Sequence, residues 1–182
     1  MVRCQVRRTV GQWGALEEST LITITCGDIL HTEAHYIAHG VATGSQEGLG
    51  TGLALNISST WPDAQRAFKR FTRHHKFEGG DVYVVPPAEG HPGVIYVATQ
   101  PDMRHADLHF LNRGLRNLAR YCDRREVESV ALPPIAAGLG KLDWEAVVKP
   151  LLLYHRGHSR TTFHVYEDFR LEYERETKLE DR

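Results

Sequence analysis

Residues 48–54, Gly48-Leu49-Gly50-Thr51-Gly52-Leu53-Ala54, place three glycines at alternate positions between the apolar run Tyr36–His39 and a further apolar segment at 53–57. Glycine lets the backbone approach a ligand closely, and consecutive N–H groups at a helix N-terminus bind anions. A Walker loop would need Gly-Lys-Ser/Thr, and a Rossmann fingerprint would need an acidic residue where this chain reaches Trp61-Pro62. The stretch therefore predicts a phosphate-binding loop of another type, with a flexible structural loop as the alternative.

A second loop of similar character begins at residue 133. The apolar run Val130-Ala131-Leu132 indicates a buried strand, and it is followed by Pro133-Pro134 and then by small residues as far as Asp143, a favourable N-cap for the next helix. Ligands in such folds lie beyond the carboxyl ends of the strands, so both loops would present N–H groups at one edge of a sheet. Two loops of this kind indicate a diphosphate ligand.

A carboxylate follows the first predicted strand. Residues 21–25 are apolar or β-branched, and the turn pair Gly27-Asp28 follows shortly after them. An aspartate at this place can accept a hydrogen bond from an exocyclic amine such as that of adenine. A plain Gly-Asp turn explains the same two residues.

Strands and helices alternate along the rest of the chain. Further strands are predicted at residues 81–85, 94–99 and 161–166, and helices at 64–75 and 106–122. This alternation favours a central sheet with helices on both faces. The helix at 64–75 carries basic residues on its outer face, which we interpret as a solvated surface rather than a nucleic-acid site.

Composition limits the possible partners and location. The 182 residues are 41% hydrophobic and 25% charged with a formal net charge of −1, which fits one globular domain and argues against stable non-specific nucleic-acid binding. No run could span a bilayer and no apolar segment follows the basic N-terminus, so we expect a cytoplasmic monomer with no membrane partner. Cys4, Cys26 and Cys122 are odd in number and far apart, which favours unpaired thiols in a reducing compartment.

Gly27-Asp28, residues 37–40, residues 48–54 and residues 133–144 together resemble the macrodomain family in their order and spacing. The resemblance covers residues 21–166 and is greatest to the branch that contains terminal ADP-ribose protein glycohydrolase and the DNA ADP-ribosyl glycohydrolase antitoxins. It implies a three-layer α/β/α macrodomain with a central mixed sheet at 21–168, preceded by an extension at 1–20 and followed by a charged tail at 169–182. It also implies ADP-ribose, or ADP-ribosylated DNA or protein, as the ligand, and no cofactor.

The resemblance further implies which residues contact ADP-ribose. Asp28 would bind the adenine amine and Ile29 would supply the next backbone contact, while His39 would face the distal ribose unless it is a core histidine. The other implied contacts are Gly27 beside the adenine site; Gly48, Gly50, Thr51, Gly52 and Leu53 in the first loop; Thr99 at the end of a strand; and Pro134, Ala137, Gly138, Leu139 and Gly140 in the second loop.

Two departures from the family concern catalysis. Members of this branch that remove ADP-ribose use a lysine where this chain has Gln100, and the glycohydrolase that acts on proteins uses an aspartate where this chain has Gly140. Glutamine is neither a nucleophile nor a base, so hydrolysis would need a positioned water, the diphosphate or a neighbouring group. We therefore take Gln100, Asp102 and His39 as catalytic candidates. Arg104 and Asp107, close in sequence to Gln100, are further candidates for supporting or acid–base roles.

The resemblance favours an ADP-ribosyl glycohydrolase that acts on thymidine-linked ADP-ribose in DNA or on modified protein. A non-catalytic ADP-ribose reader and a phosphatase that acts on ADP-ribose 1″-phosphate are the alternatives. His105 and His109 lie at helical i, i+4 spacing, but no carboxylate or cysteine nearby completes a metal site, so we predict no metal.

Overall fold

The computed structural model describes residues 22–43, 49, 52–157 and 159–167. Its strands are β1 (Ile22–Thr25), β2 (Tyr36–Ala42), β3 (Val82–Val85), β4 (Gly93–Gln100), β5 (Ser129–Leu132) and β6 (Thr162–Tyr166). Its helices are α1 (Gly52–Thr60), α2 (Pro62–His74), α3 (Leu108–Arg124) and α4 (Lys149–Arg156), with a 3-10 turn at Ile29–His31 and a π-helical turn at Trp144–Val148. Each predicted strand and helix is present, with ends shifted by a few residues.

The described strands form one six-stranded sheet in the order β1-β6-β5-β2-β4-β3. Neighbouring strands are parallel except for β3 and β4, which pair in antiparallel fashion with Val82 opposite Val97. Because β1, β6, β5, β2 and β4 run in the same direction, their carboxyl ends lie along one side of the sheet, which we call the carboxyl edge. Ligands of parallel α/β sheets bind along this edge.

Apolar side chains cover both faces of the sheet. On one face α1 and α2 bury Ile57, Ala64 and Phe68, and on the other face α3 and α4 bury residues that include Leu115 and Leu152. Strand β4 is buried along its whole length, as expected for a strand covered by helices on both sides. The predicted three-layer α/β/α architecture with a mixed sheet is confirmed.

Aspartate caps determine where two helical segments begin. Oδ1 of Asp107 accepts a hydrogen bond from the N–H of Phe110 at 2.9 Å, so α3 begins at Leu108, two residues later than predicted. Asp143 caps its helix as predicted, through the N–H of Ala146 at 2.7 Å. Each cap satisfies an N–H group that has no partner within the helix.

The cysteines only partly follow the expectation of unpaired thiols. Cys122 is a free thiol whose pKa is raised to about 12 by burial, but Cys26 is disulfide-bonded. An odd count allows one pair, and separation along the chain sets no limit on distance in the fold.

In the ranges that the structure describes, no helix is long and apolar enough to cross a membrane. The same ranges contain no group of three or more His, Cys, Asp or Glu side chains that could hold a metal ion. The extension at 1–20 and the tail at 169–182 lie outside them.

Candidate functional site

Asp28 lies at the carboxyl edge directly after β1. Gly27 has a φ of +118°, which side-chain-bearing residues rarely adopt, and it turns the chain there. Oδ1 of Asp28 accepts the N–H of Leu30 at 2.9 Å, and Oδ2 lies 3.1 Å from Nδ1 of His31, with the Asp28 side chain 49% exposed. Fully buried Ile29 anchors the turn in the core. The carboxylate is thus held in place and keeps lone pairs for a further donor.

The second loop, residues 133–142 after β5, is folded by its own hydrogen bonds. The N–H of Ala137 donates to the carbonyl of Pro134 at 3.0 Å, and the N–H of Leu142 donates to the carbonyl of Ala136 at 3.1 Å. Among the described residues, no hydrogen-bond acceptor faces the N–H groups of Gly138, Leu139 and Gly140. Of these three consecutive residues, Gly138 and Leu139 are exposed and Gly140 is buried.

Gly140 is the tightest position of the second loop. A Cβ atom at this residue would overlap the carbonyl oxygen of Ala136 and would lie 2.8 Å from Cβ of Ala106. The Gly140 carbonyl also accepts the N–H of Ala106 at 2.9 Å. An aspartate could not replace Gly140 unless the loop moved. The packing of Ala106 against Gly140 could not be predicted from the sequence, because it depends on a contact between segments that are distant along the chain.

Gln100 ends β4 with its side chain 7% exposed. Its side-chain Nε2 donates to the backbone carbonyl of Asp102 at 2.6 Å. The backbone carbonyl of Gln100 accepts the N–H of Thr43 at 2.9 Å. At this end of β4 the pairing with β2 shifts register, with Val41 opposite Ala98 and Ala42 opposite Gln100. The side-chain amide is therefore fixed at the carboxyl edge, and its Oε1 has no hydrogen-bond partner in the described part of the chain.

Asp102 closes the turn that follows Gln100. Its Oδ1 accepts the N–H of Arg104 at 2.7 Å and the N–H of His105 at 3.3 Å. These two hydrogen bonds hold the pKa of the Asp102 carboxyl below its usual range. Since Asp107 caps α3, both carboxylates near Gln100 bind backbone N–H groups, and Asp102 is ionised at neutral pH.

His39 is 2% exposed and lies within β2, three residues before its end. Its ring makes an edge contact with Tyr96, with centroids 4.8 Å apart. Burial lowers the pKa of His39 to about 4, and its Nε2 has no hydrogen-bond partner among the described residues. The neutral ring is enclosed between the sheet and the α1/α2 layer, as a core histidine would be.

The other predicted contacts lie around the same edge. Gly48, Gly50 and Thr51 are outside the described residues. Gly52, with φ of +58°, begins α1, and Leu53 is buried in its first turn. Thr99 is fully buried, its carbonyl accepts the N–H of Asp107 at 3.0 Å, and its Oγ1 has no hydrogen-bond partner among the described residues.

Residues 41–151, more than half of the chain, match the Macro domain family, and the chain belongs to that family. The DNA ADP-ribosyl glycohydrolase of Mycobacterium tuberculosis is 26% identical over 136 residues, which cover 72% of this chain and 38% of the relative. The DNA ADP-ribosyl glycohydrolase of Thermus aquaticus is 30% identical over 104 residues, which cover 54% of this chain and 28% of the relative. The chain therefore spans less than half the length of these curated relatives.

Solved structures share the fold. The macrodomain of Mycobacterium tuberculosis DarG has a TM-score of 0.71 and 26% identity, with 80% of this chain and 96% of that chain covered. Thermosipho africanus DarTG, solved in complex with ADP-ribose, has a TM-score of 0.68 and 20% identity, with 80% of this chain and 41% of that chain covered.

Proposed function

We propose that this macrodomain binds ADP-ribose along the carboxyl edge and hydrolyses ADP-ribosyl glycosidic bonds. Thymidine-linked ADP-ribose on DNA is the preferred substrate and modified protein the second. The observation that carries the proposal is the run of three N–H groups at Gly138, Leu139 and Gly140 that have no acceptor among the described residues, because consecutive N–H groups in a turn bind phosphate oxygens. The names of the relatives, DNA ADP-ribosyl glycohydrolases, support the reaction and the substrate.

The strand order supports the placement of the ligand. Along the carboxyl edge, Asp28 follows β1, the second loop follows β5, α1 begins in the segment after β2, and Gln100 ends β4. This is the order of the parts of ADP-ribose, with adenine at Asp28, the diphosphate beside the second loop, and the distal ribose beside Gln100. Neighbouring strands lie about 4.8 Å apart, so β1 and β4 are separated by roughly 19 Å, which suits an extended ligand.

Hydrolysis by these residues relies on a positioned water. The water oxygen forms a bond to the anomeric carbon, the glycosidic bond breaks, and the leaving base keeps the electron pair and takes up a proton. Oε1 of Gln100 is the acceptor that would hold this water, while its Nε2 keeps the side chain in place through Asp102. Asp102 is ionised, so it is not a proton donor at neutral pH, and neutral His39, with a pKa of about 4, is a weak base.

A non-catalytic reader is the second candidate. It is favoured by the absence of a strong base among Gln100, Asp102 and His39 and by the capping role of both carboxylates. A reader would use the same carboxyl edge and would bind ADP-ribose without turning over any linkage.

One set of measurements separates these possibilities. ADP-ribose binding is measured by calorimetry with AMP as the comparison ligand, and ADP-ribose release is followed for an ADP-ribosylated single-stranded oligonucleotide, a protein ADP-ribosylated on carboxylates, and ADP-ribose 1″-phosphate. The proposal expects ADP-ribose to bind more tightly than AMP and the oligonucleotide to be hydrolysed. Binding without turnover of any substrate identifies a reader, and a folded protein that does not bind ADP-ribose overturns both candidates.

A further inference from the structure

The outward face of α2 carries a continuous row of cations. Arg66, Lys69, Arg70 and Arg73 lie three, four and seven residues apart, a spacing that places them on one side of a helix. The opposite side of α2 packs on the sheet through Ala64 and Phe68. We call the four cations the basic stripe.

The basic stripe lacks counter-charges within the part of the chain that the structure describes. Among the described residues, none of its four members takes part in an ion pair. Like charges three and four residues apart on a helix repel each other and destabilise it. The chain as a whole has a formal net charge of −1, so this local excess of cations is not a general property of the protein.

The stripe leads to the carboxyl edge. Strand β3 runs antiparallel to β4, so the segment that joins α2 to β3 lies beside the end of β4. The N–H of Gly80 in that segment donates to the carbonyl of Ala98 at 2.8 Å, two residues before Gln100. With a rise of 1.5 Å per residue, the stripe extends over roughly 10 Å from Arg66 to Arg73, which is the axial rise of about three nucleotides in a DNA strand.

We propose that the basic stripe binds the phosphates of the single DNA strand that carries the ADP-ribosyl group, next to the modified nucleotide. This inference rests on the proposed function, because it takes ADP-ribosylated DNA as the substrate. It replaces the interpretation of this face as a plain solvated surface. An acidic strand fits better than a protein partner, because the stripe presents cations and no aromatic or apolar side chain, whereas the cores of protein interfaces are apolar. A membrane does not fit either, because the apolar side of α2 is already packed on the sheet.

Helix α3 provides a matched control. Arg116 and Arg120 are exposed, four residues apart and without ion pairs among the described residues, as are Arg66 and Arg70. They belong to the helix layer on the other face of the sheet. They also lie in the second half of α3, whose first residue, Leu108, is the end near the carboxyl edge. Changes to this pair remove the same charge without touching the proposed path of the strand.

The test compares Arg66→Gln/Arg70→Gln with Arg116→Gln/Arg120→Gln. The probes are a fluorescein-labelled 12-nucleotide single strand with one ADP-ribosylated thymidine, ADP-ribosyl thymidine without flanking phosphates, and free ADP-ribose. Four phosphate contacts to a single strand give a slope of about −2.8 for log K against log salt, and two give about −1.4. Each phosphate contact raises the affinity about five-fold at 0.1 M salt. The α2 variant loses two contacts, so it should bind the oligonucleotide about 25-fold more weakly. Its affinity for the two small probes should stay within about two-fold, and the α3 variant should bind all probes as wild type does.

Circular dichroism and thermal melting establish that both variants are folded, and removal of repelling charges predicts that the α2 variant is no less stable than wild type. Equal losses in the two variants, or an unchanged salt slope in the α2 variant, would overturn the assignment of the strand to the basic stripe. Failure of the wild type to bind ADP-ribose would instead overturn the proposed function, so the two failures are distinct. Wild-type binding of a poly-glutamate peptide that matches that of the oligonucleotide would also refute the choice of DNA as the occupant.

Discussion

A methyl group added at Gly140 should damage both stability and binding, whereas the same change at Gly138 should affect stability little. In Gly140→Ala the new Cβ meets the carbonyl oxygen of Ala136 and Cβ of Ala106, which belong to backbone and to a short side chain that cannot turn away. In Gly138→Ala the new Cβ has no atom within 4 Å. The two residues lie in the same loop, so Gly138→Ala is the matched control for stability.

The expected cost of Gly140→Ala follows from these contacts. Overpacking of a close-packed site costs about 1 to 3 kcal/mol. The loop movement also weakens the hydrogen bonds from Leu142 to Ala136, at 3.1 Å, and from Ala106 to Gly140, at 2.9 Å, each of which contributes about 0.5 to 1.5 kcal/mol. We expect a loss of about 2 to 4 kcal/mol in the free energy of unfolding, which corresponds to roughly 4 to 16 °C in Tm for a domain of this size.

Differential scanning calorimetry of both variants measures the loss of stability, and titration with ADP-ribose measures the loss of binding. Displacement of N–H groups from the diphosphate should weaken ADP-ribose binding by Gly140→Ala at least about ten-fold. A Tm within 2 °C of that of Gly138→Ala would refute the steric argument, and wild-type ADP-ribose affinity in a destabilised Gly140→Ala would place the diphosphate away from this loop.

Three further predictions concern single side chains. Asp28→Ala should weaken ADP-ribose binding about ten- to a hundred-fold in calorimetry, since loss of a hydrogen bond to a charged group costs about 1.5 to 3 kcal/mol. Unchanged affinity would show that adenine does not bind to this carboxylate. Gln100→Ala should lower turnover of ADP-ribosylated DNA about ten- to a thousand-fold with ADP-ribose affinity little changed, and full turnover would refute its role in holding water. His39 has its pKa lowered from 6.5 to about 4 by burial, so the unfolded chain binds this proton more readily than the folded one. The free energy of unfolding is therefore not reduced by His39 above pH 6.5 and should fall by about 3 kcal/mol as the pH drops to 4. Urea unfolding of His39→Leu should not show this pH-dependent loss of stability, and parallel pH profiles for wild type and variant would contradict the assignment of the loss to His39.

Local patterns of residues predicted the order of strands and helices along the chain well. The helix start at Asp143 and the turn at Gly27-Asp28 could be predicted because capping and turn formation depend on a few neighbouring residues. The helix start at Asp107 was placed two residues early, because the apolar periodicity of α3 continues past the residue that caps it.

The environments of the candidate catalytic residues could not be predicted in the same way. Gln100, Asp102 and His39 were selected from a resemblance, and their protonation states depend on neighbours that spacing does not reveal. The pKa of His39 is lowered because the α1/α2 layer and Tyr96 enclose its ring, and that of Asp102 is lowered by two backbone N–H groups of a turn that the sequence did not predict.

The sequence by itself determined that the chain is an alternating α/β domain with two glycine-containing loops after strands, because periodicity and turn residues act over a few positions. Only the tertiary structure decided that Ala106 packs against Gly140, that His39 is buried and neutral, and that the strands preceding Asp28 and the second loop lie in one sheet with the strand that ends at Gln100. These features depend on strand order and on contacts between segments distant in sequence, and such contacts form only when the sheet has brought those segments together.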